Sequence, residues 1–282
     1  MTAPPSVLTV DLEDWFHPLE PDPARWGVLP RRAAEATERL LEVLAEENAR
    51  ATFFVLGDVA LHAPGLLERI LAGGHELGTH GMEHRFVYRQ TPAEFAAELE
   101  RSIQVVSSVA GTRVSAYRAP YFSITERSLW ALDLLADHGI ELDSSIFPVR
   151  NHRYGIPRAG RLPFQVRPGL WEWPISTFPT ALGNLPFAGG AYFRLLPGPV
   201  VRAAYRALRR RGEPVLFYLH PWEVDPGQPR LRSGSRFLDF RHYHGLRCTM
   251  DRLRLLLREA PWIPLSEGWR ALGRAPSAAA PA

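Results

Sequence analysis

Short apolar runs alternate along the chain with longer stretches in which apolar residues recur every three or four positions. Residues 7–10 form the first run and end in a string of acids, which predicts a buried strand with its C-terminal end at Asp11. Over residues 31–48, Ala33, Ala36, Leu40 and Leu44 keep helical spacing. Residues 51–56, rich in Phe and Val, predict a second strand. Residues 64–72 predict a helix that Gly73-Gly74 stops, and residues 75–79 a third strand. Thr91-Pro92-Ala93-Glu94 supplies an N-cap, a first-turn proline and a capping-box glutamate for a helix running to about residue 110. A strand at 114–117, a helix at 125–138 and a strand at 140–143 follow. Residues 147–199 are full of Pro, Gly and aromatics and predict irregular loops with short strands such as 170–174. A helix at 199–210, a strand at 215–220, a helix at 246–259 and a strand at 262–263 complete the series.

This alternation assigns the chain to the α/β class with a mainly parallel sheet. It contains no internal repeat and no linker, so one domain is expected. Strands that each end in a polar cluster predict a barrel or an open sheet with its site at the C-terminal edge.

Composition narrows the class further. With 46% hydrophobic and 22% charged residues over 282 positions, the balance is that of an ordinary globular protein. The single Cys248 has no partner for an intramolecular bridge, which points toward a reducing compartment. Basic clusters at 202–211 and 247–258 have helical spacing and read as solvated helix faces. Without interleaved aromatics they do not make a nucleic-acid groove, which leaves an anionic glycan or a membrane surface open. Met1-Thr-Ala-Pro-Pro does not read as a signal peptide, and no stretch approaches the ~18 apolar residues of a transmembrane segment. The expected location is cytoplasmic, with the inner face of the membrane as a place of association. The oligomeric state is not legible.

Five strand ends carry chemistry that packing does not require. Asp11-Leu12-Glu13-Asp14 crowds three carboxylates that favour a nearby cation. His80 and His84 are four apart, a spacing that in a helical turn brings both imidazoles to one metal ion. Two neutral histidines with a carboxylate suit Zn²⁺, and also Co²⁺ or Fe²⁺. Arg118, in Tyr117-Arg118-Ala119-Pro120-Tyr121, is placed to fix a carboxylate. Asp143 ends a further strand, and His220 ends another with Trp222 two residues on. Each cluster alone has a bland explanation as turn, cap or surface pair. Five in one chain, each at a strand end, do not share one easily.

Together these residues resemble the polysaccharide deacetylase family of carbohydrate esterases, which includes chitin, chitooligosaccharide and peptidoglycan deacetylases. Phe53-Phe54-Val55 and Gly74-His75-Glu76-Leu77-Gly78 extend the likeness. The nearer resemblance is to the deacetylases associated with exosortase and exopolysaccharide gene clusters, through Val10-Asp11-Leu12-Glu13-Asp14-Trp15-Phe16, Asp143-Ser144-Ser145-Ile146-Phe147-Pro148, His220-Pro221-Trp222-Glu223 and Phe240-Arg241-His242-Tyr243. The resemblance implies a distorted (β/α) barrel of about seven strands with a C-terminal helical extension. Residues 7–223 would form the catalytic core, 224–273 the extension of a single domain spanning 1–273, and 274–282 a disordered tail.

What the resemblance implies for chemistry is metal-dependent removal of N-acetyl groups from amino sugars of a glycan, in exopolysaccharide biosynthesis. His80 and His84 would hold a divalent metal, zinc above all, with Glu13 or Asp14 as the carboxylate. Extended geometry favours Glu13, which points the same way as Asp11. Asp11 would be the base, Arg118 its partner, His220 the acid with Asp143 orienting it, and a backbone N–H near Tyr121 an oxyanion donor. Tyr121, Trp222 and Trp15 are candidates for contact with the sugar. Two departures stand out: the two acids of the first motif are not adjacent, and Gly81 replaces the usual Ser or Thr after the first histidine, removing a hydroxyl near the metal. Rival readings are an amidase or ureide hydrolase of the same fold acting on a small molecule, a non-catalytic glycan-binding relic, and a two-carboxylate glycosidase. The last leaves the histidine pair unexplained.

Overall fold

A computed structural model describes residues 4–151 and 153–273. The expected Ala/Pro/Ser tail at 274–282 lies outside them. The strands are β1 (Ser6–Leu12), β2 (Thr52–Val55), β3 (Glu76–Thr79), β4 (Ala116–Tyr117), β5 (Leu142–Asp143), β6 (Phe164–Arg167), β7 (Leu170–Glu172), β8 (Thr177–Thr180), β9 (Gly183–Pro186), β10 (Val215–Leu219) and β11 (Trp262–Ile263). The helices are α1 (Ala33–Glu46), α2 (Gly57–His62), α3 (Pro64–Ala72), α4 (Pro92–Ala110), α5 (Ala131–Asp137), α6 (Gly190–Leu195), α7 (Gly198–Arg210), α8 (Arg236–Tyr243), α9 (Leu246–Leu257) and α10 (Leu265–Ala271).

The main sheet runs β10-β1-β2-β3-β4-β5-β7-β6, with β11 also paired to β1, and β8-β9 form a separate hairpin. All pairings from β10 to β7 are parallel, and β6 alone is antiparallel. Parallel strands share one C-terminal edge, so residues that follow them converge there. The sheet curls into a half-barrel. After β7 the chain crosses its open side: Ser176 N–H donates to the Leu216 carbonyl at 3.3 Å, and Leu216 N–H to Ser176 Oγ at 2.9 Å.

Three apolar clusters hold these elements. Leu40 and Leu44 of α1 and Leu67 and Ile70 of α3 pack in one cluster with Val10, Phe53 and Val55. Phe95 and Leu99 of α4 join Leu132 and Leu135 of α5 with Tyr117 and Ile140 in a second. A third gathers Trp15, Phe16, Trp26, Trp222 and Leu246 beside the C-terminal edge. The expected capping box is present: Thr91 Oγ1 accepts from Glu94 N–H, and the Glu94 carboxylate accepts from Thr91 N–H.

The expected helix at 125–138 begins only at Ala131. Ser128 Oγ accepts from Thr125 N–H and donates to the Ser123 carbonyl, a local pattern that competes with helix. The basic clusters lie on solvated faces as read: Arg202 and Arg206 pair with Glu259, and Arg258 with Glu47.

Candidate active site

The site forms where the ends of β10, β1, β3 and β4 meet. Thr9 and Asp11 alternate onto the inner face of β1. Arg118, fully buried after β4, reaches across the half-barrel to them. It donates from Nη1 to Asp11 Oδ1 at 2.7 Å and to Thr9 Oγ1 at 2.8 Å, from Nε to the Ser144 carbonyl at 2.9 Å, and from Nη2 to Ser144 Oγ at 2.7 Å. Its guanidinium lies 4.4 Å from the centre of the Phe54 ring. A buried ion pair held by this many hydrogen bonds fixes one orientation of the Asp11 carboxylate and leaves Oδ2 toward the cavity, 3.8 Å from His220 Nε2.

A tight turn follows β1, closed by Glu13 N–H to the Asp11 carbonyl at 3.0 Å. It keeps Glu13 inside and turns Asp14 away. Glu13, His80 and His84 present one ligand atom each, all within 4.8 Å of one another and all buried. Glu13 Oε2 is 2.5 Å from His84 Nε2, and Glu13 Oε1 accepts from Trp222 Nε1 at 3.0 Å. His80 Nδ1 lies 2.8 Å from the Arg118 carbonyl. A carbonyl can only accept, so that nitrogen carries the proton and Nε2 is left as a donor to a cation.

Burial opposes charge on Glu13, but His84 and His220 outweigh it and hold its carboxyl well below the usual range. Burial lowers His80 to about 4, which keeps it neutral. Two imidazoles and an ionised carboxylate, buried together with their ligand atoms converging, are a donor set that fits a divalent ion.

Asp14 is not part of this group. Its carboxylate accepts from the N–H groups of Arg32 and Ala33 at the start of α1 and from its neighbour Trp15. The histidine pair also differs from expectation. No helical turn joins them: Gly81 (φ +77°) and His84 (φ +53°) both lie in the left-handed region, and the chain bends to bring the rings within 5.3 Å. Glu98 of α4 pins this bend by accepting from Met82 and Glu83 N–H.

Asp143 does not meet His220. It takes a hydrogen bond from Ser145 Oγ and faces Glu172 across the β5–β7 pairing. The carboxylate beside His220 Nδ1 belongs to Glu223, at 3.2 Å. Glu223 is itself held by buried Arg194 at 2.7 Å, whose Nη1 also caps the carbonyls of Arg241, His242 and His244. Burial works against a charged His220, but Glu13, Glu223 and Asp11 push it up to about 8. Glu223 stands in the His220-Pro221-Trp222-Glu223 motif, three residues after the histidine, and that spacing was the available signal for its role.

The aromatic candidates divide. Trp222 lines the cavity, stacked between His220 at 4.9 Å and His242 at 4.1 Å. Tyr121 lines it too, 4.3 Å from His84, in a strained turn where Tyr121 and Phe122 have φ of +58° and +53°. Trp15 is buried beneath the site, its Nε1 donating to the Pro30 carbonyl at 3.0 Å, and is not among the lining residues. The cavity opens to solvent. Arg153 and Tyr154 also line a second, adjoining hollow that reaches Arg89 and Arg127, and the two hollows outline a groove.

This edge, with its two acids, two histidines, buried arginine and late histidine, lies in a chain part of which matches the polysaccharide deacetylase family. The family matches residues 26–141, and residues 144–270 match a domain of unknown function, DUF3473, typical of the exopolysaccharide-associated subgroup. A peptidoglycan-N-acetylglucosamine deacetylase of Bacillus cereus is 31% identical over 100 residues, 35% of this chain and 36% of that protein. The chain thus spans about a third of that relative's length. A crystal structure assigned to the polysaccharide deacetylases, from Mycobacterium smegmatis, superposes with a TM-score of 0.66 at 21% identity, over 99% of this chain and 94% of that one. A CE4 family pseudoenzyme from Bacillus anthracis superposes at 0.51 and 14% identity, over 94% of this chain and 65% of that one.

Proposed function

We propose that this protein is a metal-dependent deacetylase that hydrolyses N-acetyl groups on amino sugars of a glycan, in the making of an exopolysaccharide. The observation that carries the reading is the convergence of Asp11, Glu13, His80, His84 and His220 on one open cavity from the ends of three strands. Glu13, His80 and His84 would hold the divalent ion, zinc by preference, which when bound polarises an acetamide carbonyl and acidifies water. Asp11, oriented by Arg118, accepts the proton of the attacking water. His220, held by Glu223, delivers a proton to the departing amine. Trp222 and Tyr121 offer ring faces to the sugar, and the Tyr121 backbone N–H is the candidate oxyanion donor.

The DUF3473 match supports the exopolysaccharide role. A cavity open to solvent with a second hollow beside it favours a glycan over the closed cavity a small-molecule amidase needs. The likeness to a pseudoenzyme raises a non-catalytic reading, against which stands the full set of acid, metal donors and late histidine. The test is acetate release from a panel of N-acetylated oligosaccharides, with and without chelator. Release should stop with chelator and return with zinc, and His80→Ala with His84→Ala should abolish both metal content and release. Full activity in that double variant would show the site misassigned. No acetate from any glycan would sink the deacetylase reading.

A further inference from the structure

We propose that the groove takes an acidic glycan, with Arg153 and Arg241 holding an anionic group on the sugar next to the N-acetylated one. The position of the acetyl group rests on the deacetylase reading, whereas the anion site rests on the arginines alone.

Both side chains line the cavity, both are half-buried, and among the described residues neither has a carboxylate within 4.0 Å. The two fully buried arginines of the same site differ: Arg118 is paired with Asp11 and Arg194 with Glu223. A guanidinium that has lost part of its water and gained no anion is a poor end state, and protein charges in such places are ordinarily paired. Here aromatic rings take the place of the counter-ion. The Arg153 guanidinium lies 5.4 Å from the centre of Phe86 and 5.5 Å from that of Tyr121, and those rings stack on each other at 4.1 Å. The Arg241 guanidinium lies 5.6 Å from Tyr192, and its Nη2 donates to the Tyr154 hydroxyl at 3.3 Å. Stacking orients the donor fork and leaves edge N–H groups for a ligand.

Charge along the groove is also polarised. Asp11 and Glu13 form its floor at the metal donors and repel an anion there. Tyr121 separates that floor from Arg153, contacting His84 on one side and the guanidinium on the other. Beyond Arg153 the second hollow adds Arg89 and Arg127 against the single carboxylate of Glu126. An anionic group is therefore favoured one sugar away from the reacting acetamide. A uronate carboxylate and a phosphate on the glycan share this chemistry, and both suit a bidentate guanidinium.

Calorimetric binding to the metal-loaded chain separates the cases. The probes are a tetrasaccharide of alternating N-acetylglucosamine and glucuronate, neutral chitotetraose, and N-acetylglucosamine carrying a nucleoside diphosphate. At low salt the uronate or the diphosphate probe should bind about tenfold more tightly than chitotetraose, the span of one well-made charged contact. High salt should shrink that preference. R153Q and R241Q should each reduce the preference severalfold, with R153K retaining most of it. Whichever acidic probe is preferred identifies the anion. Equal affinity for acidic and neutral probes would overturn the proposal, as would variants that weaken both kinds alike. Because the readout is binding, absence of acetate release would sink the deacetylase reading and leave this one standing.

Discussion

Asp11, near the end of β1, and Glu13, in the turn after it, sit two residues apart, and their partners give them different work. Asp11 is bound to Arg118, whereas Glu13 faces His84 and Trp222. Asp11→Asn should therefore keep metal content, measured by elemental analysis, while acetate release falls by about 10²–10⁴-fold, the usual contribution of a positioned base. Ordinary turnover in that variant would remove Asp11 from the role. Gly81 is a second point of tension. Its φ of +77° disfavours a side chain, and an added Cβ would lie 2.9 Å from Glu98 Oε1. Gly81→Ala should cost about 1–3 kcal/mol in thermal or urea unfolding and weaken metal binding by shifting His80 relative to His84. A stable variant with unchanged metal affinity would show that the bend does not set the donors. Most of the polar residues that meet at the cavity were legible because strand ends seldom carry polar side chains without a reason. The choice between Glu13 and Asp14 was left open, because it turns on a single hydrogen bond at the Asp11 turn. Trp15 and Asp143 were misread for a related cause: residues next to a motif can face the opposite way, Trp15 into the aromatic cluster beside the C-terminal edge and Asp143 toward β7.

At the scale of elements, β5 and β7 place two carboxyls side by side, Asp143 and Glu172, both fully buried. Burial raises both above the ordinary carboxyl range, so the pair keeps a proton that Glu172 shares with Asp143. In the unfolded chain both groups lose their protons near pH 4. Above that pH the folded state binds more protons than the unfolded one, so stability falls as pH rises, by about 1.4 kcal/mol per pH unit for each extra proton held, until the pair ionises. Glu172→Gln keeps a permanent donor and should flatten this part of the profile. Urea unfolding from pH 4.5 to 8 should show the two curves diverging, and parallel curves would refute the shared proton. Helices with strong end signals, such as α3 and α4, were readable in advance. Short ones were not: α2, α6 and α8 span six to eight residues, too few for a periodic pattern to stand out. The β8–β9 hairpin turns at Gly183 (φ +122°), within a stretch whose prolines and glycines read only as loop.

At the scale of the molecule, residues 224–273 are built into the site rather than appended to it. β11 pairs with β1, Leu246 packs with Trp222, and His242 stacks on that same ring. We therefore read residues 1–273 as one folding unit. A chain ending at residue 223 should fail to unfold cooperatively in calorimetry, whereas a native-like melt would separate core from extension. The pairing of β1 with β10 and β11 also orders events during synthesis. Glu13, His80 and His84 all lie in the first 84 residues, whereas His220 and the roof over it come from the final quarter. A growing chain thus carries the Glu13, His80 and His84 cluster while one edge of β1 is still bare. His220 arrives only when the closing strands do, so on the proposed reading capture of an ion precedes completion of the cavity.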